Sequence, residues 1–421
     1  MKKAILLTYT FPPLSTGGTP VVLNLCKYLP RYDWEVIPVT VKNPIGMAID
    51  ETLIPHVPAN TRVIRVPHGR GSEAGVVKGR VPSSALKRIL SFPVHNYLFV
   101  PDRLITWKKR VTPVLEDLLV KEKPHCIFSF GPHHSLHLIA MSVCRKHNLP
   151  FIPYFGDLWL ADSYVSWPSR INRFIEGLQE RLVVKRARAL IATTEGSTGY
   201  FLNRYEDRCP ASHVAENAYD PDRMGPPSPP GEKGEFLTAG WTGNFFADHS
   251  PAQLIQGLEM FYGRNPDSKL RLKMAGDIDD VSRDRLAGGI LSGRVTHHGR
   301  LRWDDVPAFQ KSCDLLITYL NDKKGSQLKN SSKTAEYLIS GRSVLGIVPE
   351  GDMSERIRKY GRGYTAQPIA DEIALKLENL EYQWRTSSLS LPTDYRAIEN
   401  KFSAVNVMGR LADFLTDVAA P

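Results

Sequence analysis

Cysteine is scarce in this chain: Cys26, Cys126, Cys144, Cys209 and Cys313 are the only five in 421 residues. No two lie close enough in sequence to form a zinc-binding or dithiol pair, and the scatter suits a reducing, cytoplasmic compartment better than a disulfide scaffold. No apolar run approaches the ~18 residues that a spanning helix needs, so any membrane contact is expected to be peripheral. The opening stretch AILLTYTF is short and runs into FPPLSTGG, which lacks a small-residue cleavage site, so it reads as a first strand and not as a secretion signal. Low-complexity tracts are absent. The basic residues are dispersed without a recognisable nucleic-acid module, which argues against nucleic acid as a partner.

What the chain does have is length, ordinary globular composition and a formal net charge of +10. The length exceeds what one hydrophobic core usually sustains and predicts two domains. The charge suits anionic partners such as nucleotide phosphates or lipid headgroups without choosing among them.

Strand and helix patterns alternate along the sequence. AILLTYT, a Pro/Gly loop, TPVVLNLCKYLP and WEVIPVTV open the series, followed by CIFSF, HHSLHLIAMSVCRKH, FIPYF, the charged helix INRFIEGLQERLVVKRAR and ALIATT. This rhythm predicts a doubly wound parallel sheet. Residues 220–235, DPDRMGPPSPPGEKGE, have the composition of a connector, and the domain boundary is expected there. A second series follows: FLTAGWTG, PAQLIQGLEMFYGR, LRLKMAG, THHG, VPAFQKSC, DLLITYL, KTAEYLISG and SVLGIVPE. The expected organisation is a domain over 1–220, completed by a C-terminal helix at about 400–421, and a second over 235–395.

In open parallel sheets, ligands bind beyond the carboxyl ends of the strands, where helix amino termini present free N–H groups. Gly17 and Gly18 follow the first strand and would let the backbone turn close to a ligand, or simply make a tight turn. Gly243 and Asn244 occupy the equivalent place in GWTGNFF. The most informative segment is SSKTAEYLISGRSVLGIVPEGD, residues 331–352. Ser331 and Ser332 are placed to cap a helix whose first turn carries Lys333, which would gather hydroxyls, amides and an ammonium around a diphosphate. Glu336, three residues on, shares that helical face and could accept hydrogen bonds from vicinal ribose hydroxyls; a capping box with a surface Lys/Glu pair is the plainer alternative.

This segment resembles the donor-binding signature of glycosyltransferase family 4, in the form Ser-Lys, two residues, Glu-Tyr-Leu, then Gly-Arg-Ser. Further pieces agree in order: FPPLSTGG, VPDRLITW (100–107), GPHHSLHLIA (131–140), FGDLW (155–159), ENAYD (216–220) and VTHHGRL (295–301). The resemblance implies an α/β GT-B fold, with two Rossmann-like doubly wound domains facing a central cleft. It further implies a nucleotide sugar held by the carboxyl-terminal domain, with a UDP-sugar favoured, and an acceptor held by the amino-terminal domain. Transfer would retain anomeric configuration, without a metal and without any cofactor beyond the nucleotide-sugar substrate. Carried over residue by residue, Glu336 would hold the ribose, and Ser332, Lys333 and Thr334 would face the phosphates. Gly243 and Asn244 would lie near the diphosphate, Arg300 and Leu301 near the base, and Gly18 is a further donor-binding candidate. Asp157, after FIPYF, would orient the acceptor hydroxyl, and His134 (or its neighbour His133) would touch the transferred sugar. Asp157, His134 and Lys333 are thus the candidate catalytic residues.

Two departures from the family pattern stand out. The position eight before Glu336, often a second glutamate, is Leu328. The arginine that often follows the glycine loop is missing, the nearby polar residues being Asp248 and His249, and His249 could replace it only when protonated. Three activities stay open on these grounds: transfer to a glycan, a lipid-linked oligosaccharide or a small molecule, as in polysaccharide biosynthesis; nucleotide-sugar epimerisation; or a catalytically silent subunit that scaffolds or activates a partner. From Lys78 to Arg110, basic residues alternate with apolar and aromatic ones, a pattern that could rest on anionic lipid at the inner face of a membrane or form ordinary core with solvated lysines.

Overall fold

A computed structural model describes residues 1–44, 48–68, 99–165, 167–245 and 249–419. The chain forms two compact units, Met1–Glu216 with Val407–Pro421, and Asn217–Asn406. Each is a Rossmann-like parallel sheet with helices.

In the first unit the strands are β1 (Lys2–Thr8), β2 (Trp34–Val41), β3 (Ile64–Val66), β4 (Cys126–Gly131), β5 (Phe151–Phe155), β6 (Ala189–Ala192) and β7 (Ala211–Val214). They lie in the order β3-β2-β1-β4-β5-β6-β7 with parallel pairings throughout. Covering both faces of a sheet buries successive residues alike, which is why β4, β5 and β6 read as unbroken apolar runs and are buried along their whole length. The edge strand β7 is only partly buried, and its sequence ASHV carries no such signal. The last helix, Ala404–Val418, returns the chain to this unit. Leu411 and Leu415 are fully buried there, the Phe414 ring stacks on His213 at 4.9 Å, and Lys2 Nζ donates to Thr416 Oγ1 at 2.9 Å.

The second unit has β8 (Leu237–Thr242), β9 (Leu270–Ala275), β10 (Val295–His297), β11 (Leu315–Tyr319), β12 (Ser343–Ile347) and β13 (Tyr364–Ala366), again parallel, in the order β10-β9-β8-β11-β12-β13. Leu254, Leu258 and Phe261 of the helix Ala252–Arg264 and Ile373, Leu377 and Leu380 of the helix Ala370–Arg385 fill one core against β8, β9 and β11.

The passage between units falls at Glu216/Asn217, ahead of the proline-rich stretch where the sequence placed it. The reason is local pairing: Asn217 Nδ2 donates to Asn330 O at 2.9 Å, Tyr219 bridges to Ser403, and Arg223 pairs with Glu336. These contacts tie residues 217–224 to the second unit before the prolines begin.

Candidate functional site

In the second unit, three loops gather at the carboxyl ends of β8, β9 and β10. Gly243 N donates to Ala275 O at 2.8 Å, Gly276 N to Gly299 O at 2.8 Å, and Phe245 N to Asp277 O at 2.8 Å. The Asn244 side chain closes the same junction, its Oδ1 accepting from Asp277 N at 2.9 Å. Arg300 pairs with the Asp277 carboxylate, and the His297 ring meets Gly276 O at 2.8 Å. Asn244 and Arg300, both candidates from the sequence, are therefore engaged in holding these loops together. Leu301 is half-buried beside them.

Gly243 is glycine for two separate reasons. Its φ of +140° lies where side-chain-bearing residues are strained, and a Cβ there would sit 1.7 Å from Lys333 Nζ. The ammonium thus occupies the volume that any other residue at 243 would fill. Lys333 opens the helix Lys333–Ile339, and one turn on, Tyr337 is fully buried and locks that helix to the end of β8. Its hydroxyl accepts from Thr242 N at 3.0 Å and lies 2.9 Å from Thr242 Oγ1. Because Thr242 precedes Gly243, this bond sets the register of Lys333 over the glycine.

Among the described residues, Lys333 Nζ has no hydrogen-bond acceptor; it lies 4.9 Å from the centroid of the Trp241 ring. Burial lowers its pKa from the usual lysine value to about 8, partly offset by the Glu336 carboxylate. A desolvated ammonium with no acceptor among the described residues is an electrostatic invitation to an anion.

Glu336 is buried and doubly held. One carboxylate oxygen pairs with Arg223 Nη2, and the other accepts from Gln310 Nε2 at 3.0 Å. The Arg223 guanidinium lies 4.1 Å from the Trp303 ring centroid and donates to Trp303 O at 3.2 Å. Arg223, Gln310 and Trp303 escaped the sequence reading, being respectively 113, 26 and 33 positions before Glu336 with no periodicity linking them to it. Each carboxylate oxygen retains a second lone-pair direction, so the tethers orient Glu336 without exhausting its capacity to accept.

The expected serine caps are rearranged. Ser332 stands at the N-cap with helical torsions and makes no side-chain cap bond, whereas Ser331 Oγ accepts from Lys333 N at 3.4 Å. An N-cap in the extended region is what lets its own oxygen reach the N–H groups ahead, and Ser332 is not extended. Thr334 is buried, with its hydroxyl unpartnered. His249 cannot stand in for the missing arginine: burial and the charges of Lys333, Lys329 and Lys323 lower its pKa to about 4, so it is neutral at physiological pH. Asp248 lies outside the described residues. Leu328 is half-buried at the end of a short 3-10 turn, Ser326–Leu328.

The first unit has its own cluster at the ends of β4 and β5. The His134 ring is buried and stacks on Trp159 at 4.5 Å and 7°, and His137 Nδ1 lies 2.7 Å from Ser129 Oγ. Burial, together with His137 and His133, holds His134 well below the usual histidine pKa, so its imidazole is neutral. His133 packs edge-on against Tyr9 at 5.4 Å. Asp157 is half-buried in the loop after β5. The Asp102 carboxylate of VPDRL is structural, accepting from Leu104 N at 2.9 Å and from Ser135 N at 3.0 Å. Gly18 has an ordinary φ of −86°, and its bareness answers to Phe130, whose ring would lie 2.8 Å from a Cβ. Gly17 has nothing within 4 Å of such a Cβ.

Among the described residues, no group of three or more His, Cys, Asp or Glu side chains is arranged to hold a metal ion, and no helix is long and apolar enough to cross a membrane. Residues 78–98, most of the expected lipid-facing stretch, lie outside the described residues. The remainder of that stretch includes a 3-10 turn, Arg103–Trp107, that buries Leu104 and Trp107, followed by exposed Lys108, Lys109 and Arg110.

No protein-family model matches the chain, and no curated protein sequence matches it. Solved structures do resemble it over essentially their full length. Sucrose-phosphate synthase from Thermosynechococcus elongatus is 13% identical with a TM-score of 0.67, covering 99% of this chain and 99% of that one. HepE from Anabaena, solved in complex with UDP-glucose, is 13% identical with a TM-score of 0.66, covering 99% and 100%. A putative UDP-N-acetylglucosamine 2-epimerase from Listeria monocytogenes is 12% identical with a TM-score of 0.57, covering 100% and 98%. The fold is accordingly that of GT-B proteins. Since the same fold serves a transferase and an epimerase, reaction type has to come from the site.

Proposed function

We propose that the chain is a nucleotide-sugar-dependent glycosyltransferase of the family 4 type, which moves a sugar to a hydroxyl of a glycan, lipid-linked or small-molecule acceptor with retention and without a metal. The carrying observation is the Lys333 ammonium, without an acceptor among the described residues, lodged in the space that Gly243 leaves open at the end of β8. A diphosphate placed there would meet the ammonium and not the Gly243 and Phe245 N–H groups, which already donate to Ala275 O and Asp277 O. As the bond to the leaving phosphate breaks, its growing charge would be stabilised by a group already in place.

Glu336, oriented by Arg223 and Gln310, is assigned to the ribose, with the 298–301 loop nearest the base. UDP is the favoured nucleotide, in keeping with the UDP-glucose bound by HepE. The first unit is assigned to the acceptor, with Asp157 positioning its hydroxyl. His134, being buried and neutral, would serve as a hydrogen-bonding or packing group and not as a proton donor. A retaining transfer needs little from a protein base where the departing phosphate takes the acceptor proton on the same face.

Incubation with a panel of UDP-, GDP-, ADP- and TDP-sugars separates the readings. Transferase activity releases nucleotide only when acceptor is added, an epimerase changes the sugar without acceptor, and a silent subunit does neither. In the active pair, Lys333→Ala is expected to lower kcat by about 100-fold, in the range for a lost oxyanion-type donor, and Glu336→Ala to weaken nucleotide binding. Wild-type behaviour in both variants would remove this site from the reaction.

A further inference from the structure

The helix Arg170–Arg186 of the first unit has its polarity inverted. Its two acids face inward: Glu176 accepts from Trp159 Nε1 at 2.9 Å, and Glu180 accepts from Leu160 N at 3.0 Å and Tyr205 Oη at 2.6 Å and pairs with Arg204 at 3.3 Å. Asn172, Val183 and Val184 complete the buried side. The outward side carries Ile171, Phe174, Leu178 and Leu182, which are 70%, 67%, 51% and 43% exposed, with Ile175 among them. At ~100° per residue these five fall within an arc of roughly 100°. Arg170, Arg173, Arg181, Lys185 and Arg186 are the other exposed residues of the helix. Every fully exposed residue of the helix is therefore either apolar or cationic.

This stripe has the spacing of a core-facing helix, yet the opposite side is the one that packs. Apolar side chains at successive turns, uncovered by any described residue and rimmed by one sign of charge, mark an interaction surface. The charge selects the occupant. Pairing with a second copy through the same face would bring two cationic rims together, whereas a bilayer containing anionic lipid offers both an apolar interior and negative headgroups. Arg173 lies over the Trp167 ring, 5.1 Å from its centroid, adding an aromatic group of the kind that settles at headgroup level.

We propose that the Arg170–Arg186 helix is a membrane-surface element, its apolar stripe entering the headgroup boundary of an anionic bilayer while its arginines and lysine engage the headgroups. This surface is independent of the transfer reading, because lipid binding is measured without donor or acceptor.

The test is flotation of the full chain with phosphatidylcholine vesicles, with and without phosphatidylglycerol. The expected result is salt-sensitive binding to the phosphatidylglycerol vesicles. A Phe174→Glu, Leu178→Glu double variant should lower the partition coefficient by at least about tenfold, and Arg170→Glu with Arg181→Glu should remove the preference for anionic lipid. Both variants should keep the wild-type melting temperature and UDP affinity. Overturning results are wild type that stays unbound, variants that float as wild type does, or a stripe-dependent dimer in sedimentation with no vesicle binding. A Leu178→Cys variant supplies one more check, since a thiol there that resists a polar maleimide in the lipid-free protein would show the stripe to be covered and sink the proposal.

Discussion

The two units place their candidate groups in opposite physical settings. In the second, a cation is held against a bare backbone with no acceptor among the described residues, and the neighbouring carboxylate is fixed by two donors. In the first, the candidate histidine is stacked on Trp159 in its neutral form, and its Nδ1 is buried without a hydrogen-bond partner among the described residues. The contrast is one of charge: the second unit buries a cation, while the first buries neutral imidazoles.

The two glycine loops give the sharpest way to break this comparison. Gly243→Ala introduces a Cβ into the Lys333 ammonium at a positive φ, and donor affinity measured by calorimetry should fall by about 100-fold, close to the loss of a full oxyanion-type contact. Retained affinity would mean that Lys333 does not hold the donor. Gly18→Ala meets the Phe130 ring and the Thr10 methyl, at an ordinary φ, so it should destabilise the protein by about 1–3 kcal/mol in urea unfolding through overpacking and leave donor affinity unchanged. Loss of donor binding in this variant would erase the distinction between the loops.

A smaller effect comes from pH. In the free protein Lys333 titrates at about 8, and a bound diphosphate would raise that value. Affinity should accordingly be level below pH 8 and weaken above it, by up to about tenfold per pH unit, or ~1.4 kcal/mol. Lys333→Ala should flatten the profile. A wild-type profile that is already flat from pH 7 to 9 would assign the anion to another group.

Much of the fold was legible because its strands are buried on both faces. AILLT, CIFSF, FIPYF, DLLITYL and SVLGI announce themselves as apolar runs, and the series of helices between them implies the parallel order. The edge strands β3, β7 and β13 carry three or four residues with mixed burial, too little pattern to read. The site divides in the same way. Lys333, Glu336 and Gly243 were legible because a helix start and a glycine turn are local events. Arg223, Gln310 and Trp303 were not, since their role is set by burial of a charge pair across the fold. Ser332 looked like a cap by composition, but its backbone torsions keep its hydroxyl from capping the helix.

Gly276 extends the reach of this arrangement. At φ +129°, a Cβ on it would sit 1.7 Å from Gly243 O, so position 276 constrains position 243 just as 243 constrains 333. The three positions form a chain of mutual exclusion in which the outermost member never needs to touch a ligand. Sequence drift at 276 would be felt as an altered lysine, and no single compensating change at 243 could relieve it, because both backbones already use conformations that only glycine tolerates readily. Position 276 should therefore resist substitution as firmly as position 243 does.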